Sequence, residues 1–256
     1  MPEASRQAPL YEEPLLQRRQ ATRSRMPQTE CAHIISHTHW DREWYLSSSY
    51  VNAWLVPFFR SLFDMLDQEP GYRFVLDGQT CLIEDWCEQL ALQGQDPALQ
   101  RLRLAEYVRQ GRLLVGPYYL QPDWQLAGDE ALVRNLLIGH ELARELGAVM
   151  PVGWLVDNFG QISQAPQIHR QFNLEGVFVW RGVELPPDRI RSEFTWASPD
   201  GSRVTAIYLL SSYRNAMRLA EFAEIMRPRV QREVAKLAPF ASTQHVLLMN
   251  GYDQEL

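Results

Sequence analysis

The sequence predicts an α/β fold, an irregular seven-stranded parallel (β/α) barrel, on three observations. Seven short runs rich in aliphatic, β-branched and aromatic residues recur between residues 32 and 249. Helical hydrophobic patterns separate most of them, and each run delivers polar or charged side chains at its downstream end. Runs that are apolar throughout, alternating with helices, imply a parallel sheet covered on its faces. Chemistry in such sheets gathers beyond the C-terminal ends of the strands. Seven converging polar ends favour closure into a barrel over an open sheet.

The first strand is expected at residues 32–36 and runs straight into His37-Thr38-His39-Trp40-Asp41. Alternation along an extended chain turns His37, His39 and Asp41 the same way. Imidazole nitrogen with carboxylate oxygen suits zinc or another borderline divalent ion. The plainer reading is that His33 and His37 are packed or hydrogen-bonded strand histidines. A helix follows at about 50–68, where Leu55, Phe58, Phe59, Leu62, Phe63 and Leu66 recur at helical spacing. Residues 73–76 form the second strand, ending in Asp77-Gly78-Gln79, with helices at about 82–92 and 97–110. The third strand, 113–116, leads to Gln121-Pro122-Asp123-Trp124. Residues 129–147, opened by Asp129 and Glu130 and closed by Gly147, are the clearest helix.

The fourth strand, 153–156, ends in Asp157-Asn158-Phe159-Gly160, and a helix is expected at 163–172. The fifth, 176–180, ends in Arg181, and the sixth, 204–210, ends near Tyr213 and Arg214. A helix at 218–238, broken at Pro228, precedes the seventh strand, 245–249, which ends in Asn250-Gly251-Tyr252-Asp253. Asp77 and Asp123 are read as well as turn or cap residues as they are as functional groups. Trp54 and Trp86 read as packing residues.

The chain has 256 residues, 46% hydrophobic and 22% charged, with a net charge of -6. That is ordinary for a globular protein, and it lacks the basic surface that nucleic acid or an anionic membrane would require. No stretch reaches transmembrane length. Residues 1–29 are read as a disordered N-terminal arm without a secretory core, with Met26 as an alternative start, and the default location is cytoplasmic. Cys31, Cys81 and Cys87 form no recognised ligand spacing and leave an odd thiol, which points to a reducing compartment.

The stretch from Ser36 to Trp44, Ser-His-Thr-His-Trp-Asp-Arg-Glu-Trp, resembles the signature of glycoside hydrolase family 38, the zinc-dependent retaining α-mannosidases, in its bacterial-type branch. The likeness continues through Asp77-Gly78-Gln79-Thr80, Gly116-Pro117-Tyr118-Tyr119, Trp154 to Gly160, Val179-Trp180-Arg181-Gly182 and Met249 to Asp253. It implies a barrel of the glycoside hydrolase and deacetylase type over residues 30–256, cut before the family's helical and β-sandwich domains. It implies one zinc ion, or another divalent metal, on His39, Asp41 and Asp157. Asp157 would also be the nucleophile and Asp253 the general acid/base, with Trp44, Phe159, Arg181 and Tyr213 contacting an α-mannoside substrate. The family's fourth ligand, a late His, is not in this sequence, so the chain alone is expected to be poorly active. A metal-dependent deacetylase or amide hydrolase on a related barrel, and a non-catalytic mannose-binding remnant, are the alternatives.

Overall fold

The structure, a computed structural model, describes residues 31–255; the expected N-terminal arm lies outside the described residues. Among the described residues there are eight strands: β1 (Cys31–Ser36), β2 (Phe74–Val75), β3 (Leu113–Leu114), β4 (Val152–Leu155), β5 (Gly176–Val179), β6 (Glu193–Ala197), β7 (Arg203–Tyr208) and β8 (His245–Asn250). The helices are α1 (Ser48–Val51), α2 (Leu55–Gln68), α3 (Cys81–Leu92), α4 (Pro97–Arg109), α5 (Asp129–Leu146), α6 (Ala165–Gln171) and α7 (Ala223–Leu237). Strand and helix therefore alternate as the apolar periodicity predicts. None of the described helices is long and apolar enough to cross a membrane.

The closed seven-stranded barrel is not formed. The strands make three separate ladders: β1 with β8, β2 with β3, and β4-β5-β7-β6. Two physical causes are visible. β2 and β3 pair over only two residues each, because Asp77 and Gly78 turn into the left-handed region directly after β2. Between β7 and β8 a loop replaces the ladder, with Ala216 N–H donating to Met249 O and Asn215 Oδ1 accepting from Met249 N–H. A single bridge, His37 with Val75, joins the first ladder to the second, and another, Gln79 with Tyr118, lies beyond the β2–β3 pair.

β6 is the strand the sequence reading missed, and it runs antiparallel to β7 at the edge of its sheet. Its five residues mix polar and aromatic side chains and none is fully buried, as suits an edge strand. The expected break at Pro228 is also corrected, since α7 continues through it. Pro228 is exposed, so the carbonyl deprived of its helical donor is left on the solvent side.

One apolar cluster joins α2, α3 and α4 to β2 and β3, with Trp86 stacked on Phe59 at 4.2 Å. A second, around Trp154, Leu155, Val177 and Met249, lies under the C-terminal ends of the central strands. A third packs α7 against β8. Trp86 is a core residue as expected, but Trp54 is 44% exposed.

Candidate active site

The site grows from the point where β1 leaves its ladder. His37 is fully buried, and its Nε2 lies 2.7 Å from the carbonyl of Tyr213. Burial lowers its pKa, so at neutral pH the ring is uncharged and Nε2–H donates to that carbonyl. His37 is thus a positioning group that ties the Tyr213 loop to β1. Gly251 passes so close to His37 that a Cβ there would stand 2.3 Å from the His37 carbonyl oxygen. Only glycine fits that approach.

Two residues on, His39 is buried with both ring nitrogens facing carboxylates. Nδ1 lies 3.1 Å from Asp77 Oδ1, whereas Nε2 lies 3.5 Å from Asp41 Oδ1 and 3.6 Å from Asp157 Oδ2. Donation of Nδ1–H to Asp77 fixes the tautomer and leaves Nε2 as the free ligand atom, an arrangement common to metal-binding histidines. Burial opposes protonation of His39, but Asp77 and then Asp41 outweigh it and hold its pKa well above the usual value. A position that draws a proton between an imidazole and two carboxylates also draws a cation.

Each of the two carboxylates stands at a ligand-like separation from His39 Nε2. Ligand atoms about 2.0–2.1 Å from a tetrahedral zinc stand roughly 3.4 Å apart, close to both separations from Nε2. The convergence is on His39 Nε2. The tighter grouping, in which three ligand-type side chains lie within 4.8 Å of one another, occurs among the described residues at Cys31, His33 and His245 instead.

Asp77, for which a turn reading stood beside a functional one, is the keystone beneath His39. It is fully buried and accepts from the Trp40 amide at 2.6 Å, from Gln79 Nε2 at 2.7 Å and from Gln121 Nε2 at 2.7 Å, besides His39. A buried carboxylate with four donors is fully compensated and cannot rotate freely. Gln79 and Gln121, which the sequence marks only as polar groups downstream of apolar runs, complete the support of Asp77. Asp123 does serve as a turn acceptor, taking the Phe159 amide at 2.6 Å. Arg42, between the motif residues, forks onto the Asp85 carboxylate of α3 at 2.7 and 2.8 Å and anchors the loop.

Asp157 follows β4. Arg181 Nε donates to its Oδ1 at 2.5 Å, and the guanidinium is held between the rings of Phe159 and Trp180, at 4.5 and 4.2 Å. Burial raises the pKa of Asp157, while His39 and Arg181 pull it back. Asp253 follows β8 and bridges back to His39 along the backbone. Tyr213 O–H donates to Asp253 Oδ1 at 2.6 Å, and the Tyr213 ring lies 5.1 Å from that of His39. Burial, then the charges of Asp157 and Asp253, push the Tyr213 pKa far up, so it stays a donor. Gln254 closes the arrangement by donating its amide N–H to His39 O at 2.7 Å and its side chain to Asp41 O at 3.0 Å.

Of the residues singled out from the sequence, His39, Asp41, Asp157, Arg181, Phe159, Tyr213 and Asp253 therefore form one connected group. Trp44 is apart from it: 60% exposed on the loop after the motif, with its ring 4.0 Å from that of Tyr45. A groove of about 270 Å³, lined by Gln161, Gly182, Glu184, Phe194 and Trp196, begins beside Arg181.

Residues 31–256 match the family model for the N-terminal domain of glycosyl hydrolases family 38. The chain is 34% identical over 236 residues to a protein of Halalkalibacterium halodurans named "Putative mannosylglycerate hydrolase", covering 88% of this chain and 26% of that one. It is 27% identical over 188 residues to mouse alpha-mannosidase 2C1, covering 67% of this chain and 16% of the relative. The crystal structure of an alpha-mannosidase from Enterococcus faecalis superposes with a TM-score of 0.79 at 31% identity, over 88% of this chain and 25% of that one. The chain thus spans about a quarter of the length of the first two of these bacterial proteins it resembles. On the family match and the site it frames, the chain belongs to glycosyl hydrolases family 38, of which it carries the N-terminal domain.

Proposed function

We propose that this domain hydrolyses terminal α-mannosides with retention of configuration, Asp157 acting as nucleophile and Asp253 as general acid/base. The observation that supports it most directly is Asp157 itself, a half-buried carboxylate gripped by Arg181 on one oxygen and facing His39 with the other. His39, Asp41 and Asp157 would hold a single zinc or similar divalent ion, which when bound neutralises the clustered carboxylates and polarises sugar hydroxyls.

The protein's own groups account for the rest. Arg181 orients one carboxylate oxygen of Asp157 and opposes its protonation, leaving the other oxygen to attack the anomeric carbon. Asp253, held by Tyr213 O–H, transfers its proton to the departing glycosidic oxygen. It then takes a proton from the water that cleaves the glycosyl ester on Asp157. The exposed ring of Phe159, backed by Arg181, offers an apolar sugar face a stacking surface.

The test is to incubate the protein, supplied with zinc, with a fluorinated mannosyl substrate that slows breakdown of the ester, and to map the adduct by mass spectrometry. Labelling of Asp157 is the expected result. A label elsewhere, or aryl α-mannoside turnover that persists in Asp157→Asn, would overturn the assignment.

A further inference from the structure

At the opposite end of the β1–β8 pair lies a second group of metal-ligand side chains, distinct from the site just described. Cys31 opens β1, His245 opens β8, and the parallel register sets them directly opposite one another. His33, two residues along β1, returns to the side of the ladder that Cys31 occupies. Donor atoms of all three lie within 4.8 Å of one another, and His33 Nε2 stands 3.0 Å from His245 Nδ1. The two imidazoles are exposed and Cys31 is partly so, which leaves an ion free access.

We propose that Cys31, His33 and His245 form a surface site for a borderline or soft divalent cation such as Zn²⁺. It would act as a clip between the first and last strands of the described fold. The donor chemistry supports this: one sulfur and two imidazole nitrogens match the ligands zinc prefers, and three protein donors leave a fourth position for water. The nitrogen pair already stands close to the separation of neighbouring ligands on one ion, and the proton now shared between the rings is what a cation would replace. Binding releases the Cys31 thiol proton together with any proton held on the rings. The ion would link residues more than two hundred positions apart in sequence, so it opposes separation of β1 from β8.

Cobalt distinguishes the two sites, because only this one has a sulfur donor. Titration of the full chain with Co²⁺ is expected to bind two equivalents and to give a thiolate-to-cobalt charge-transfer band. Cys31→Ser is expected to lose the band and one equivalent, and His33→Ala or His245→Ala to weaken the band. Asp157→Asn keeps the band while its own site weakens, so failure of the mannosidase reading and failure of this one are separable. Zinc should raise Tm in Asp157→Asn, and that increment should vanish when Cys31→Ser is added. The proposal is overturned by absence of the band at saturating cobalt, by a band that survives Cys31→Ser but not Cys87→Ser, or by one that neither histidine substitution changes. Circular dichroism of each variant without metal confirms that it is folded.

Discussion

The two ends of β1 carry the same residue type in opposite surroundings. At the C-terminal end His37 and His39 are buried, and their ring nitrogens face backbone carbonyls or carboxylates. At the N-terminal end His33 and His245 are exposed and hydrogen-bond to each other. The first arrangement is built before any ion or sugar arrives, so little ordering remains to be done on binding. The second has to exchange a proton and settle its side chains around the ion. Burial with a second layer of acceptors, rather than the presence of histidine, is what separates the two ends.

The largest break in this contrast comes from Asp157→Asn. If the buried end is the reactive one, aryl α-mannoside turnover falls by about 10³-fold or more, roughly 4 kcal/mol of barrier, in steady-state assays. Next comes pH. His169 is buried between Tyr118 O–H and Ala165 O, each 2.6 Å away, and burial depresses its pKa to about 4. The folded state therefore keeps it neutral, while the unfolded chain takes up a proton below the ordinary value near 6.5. Stability should be lost as pH falls from about 6.5 to about 4, by up to about 3 kcal/mol from this residue. Urea melts across that range check it, and His169→Gln should flatten the slope.

Asp77→Ala sharpens the comparison by stripping the support and leaving the ligands in place. It should lower metal affinity at the His39 site about 10–100-fold, measured by ion titration, with thiolate-to-cobalt absorption at the other end unchanged. The smallest effect is expected for Cys31→Ser. Mannoside turnover should stay within about twofold of the parent, because Cys31 lies at the opposite end of β1 from the groups proposed to handle the sugar.

The alternation of strands and helices was legible because core-facing side chains impose their period directly on sequence. The convergence of His39, Asp41, Asp157 and Asp253 was legible because each lies just past an apolar run. Closure was not, since it depends on pair lengths set by turn residues: Asp77 with φ of 46° cuts β2 short in a way that hydrophobicity does not record. β6 escaped because an edge strand needs no apolar run. Asp77 was under-read because Asp-Gly is common turn chemistry, and only the donors around it reveal its second task. The Cys31, His33 and His245 group was unreadable for another reason. Cysteine spacing along the chain is uninformative when the third donor comes from a strand more than two hundred residues away, brought alongside by register alone.

That register also dictates an order of events during synthesis. β1 has β8 as its ladder partner, and Gln254 fastens the backbone of the loop carrying His39 and Asp41. At about 5–20 residues per second, a ribosome needs on the order of ten seconds or more between making the first motif and making its mate. Throughout that interval β1 lacks its ladder partner. The nascent polypeptide is then most exposed to chaperone capture and to mispairing with a neighbour.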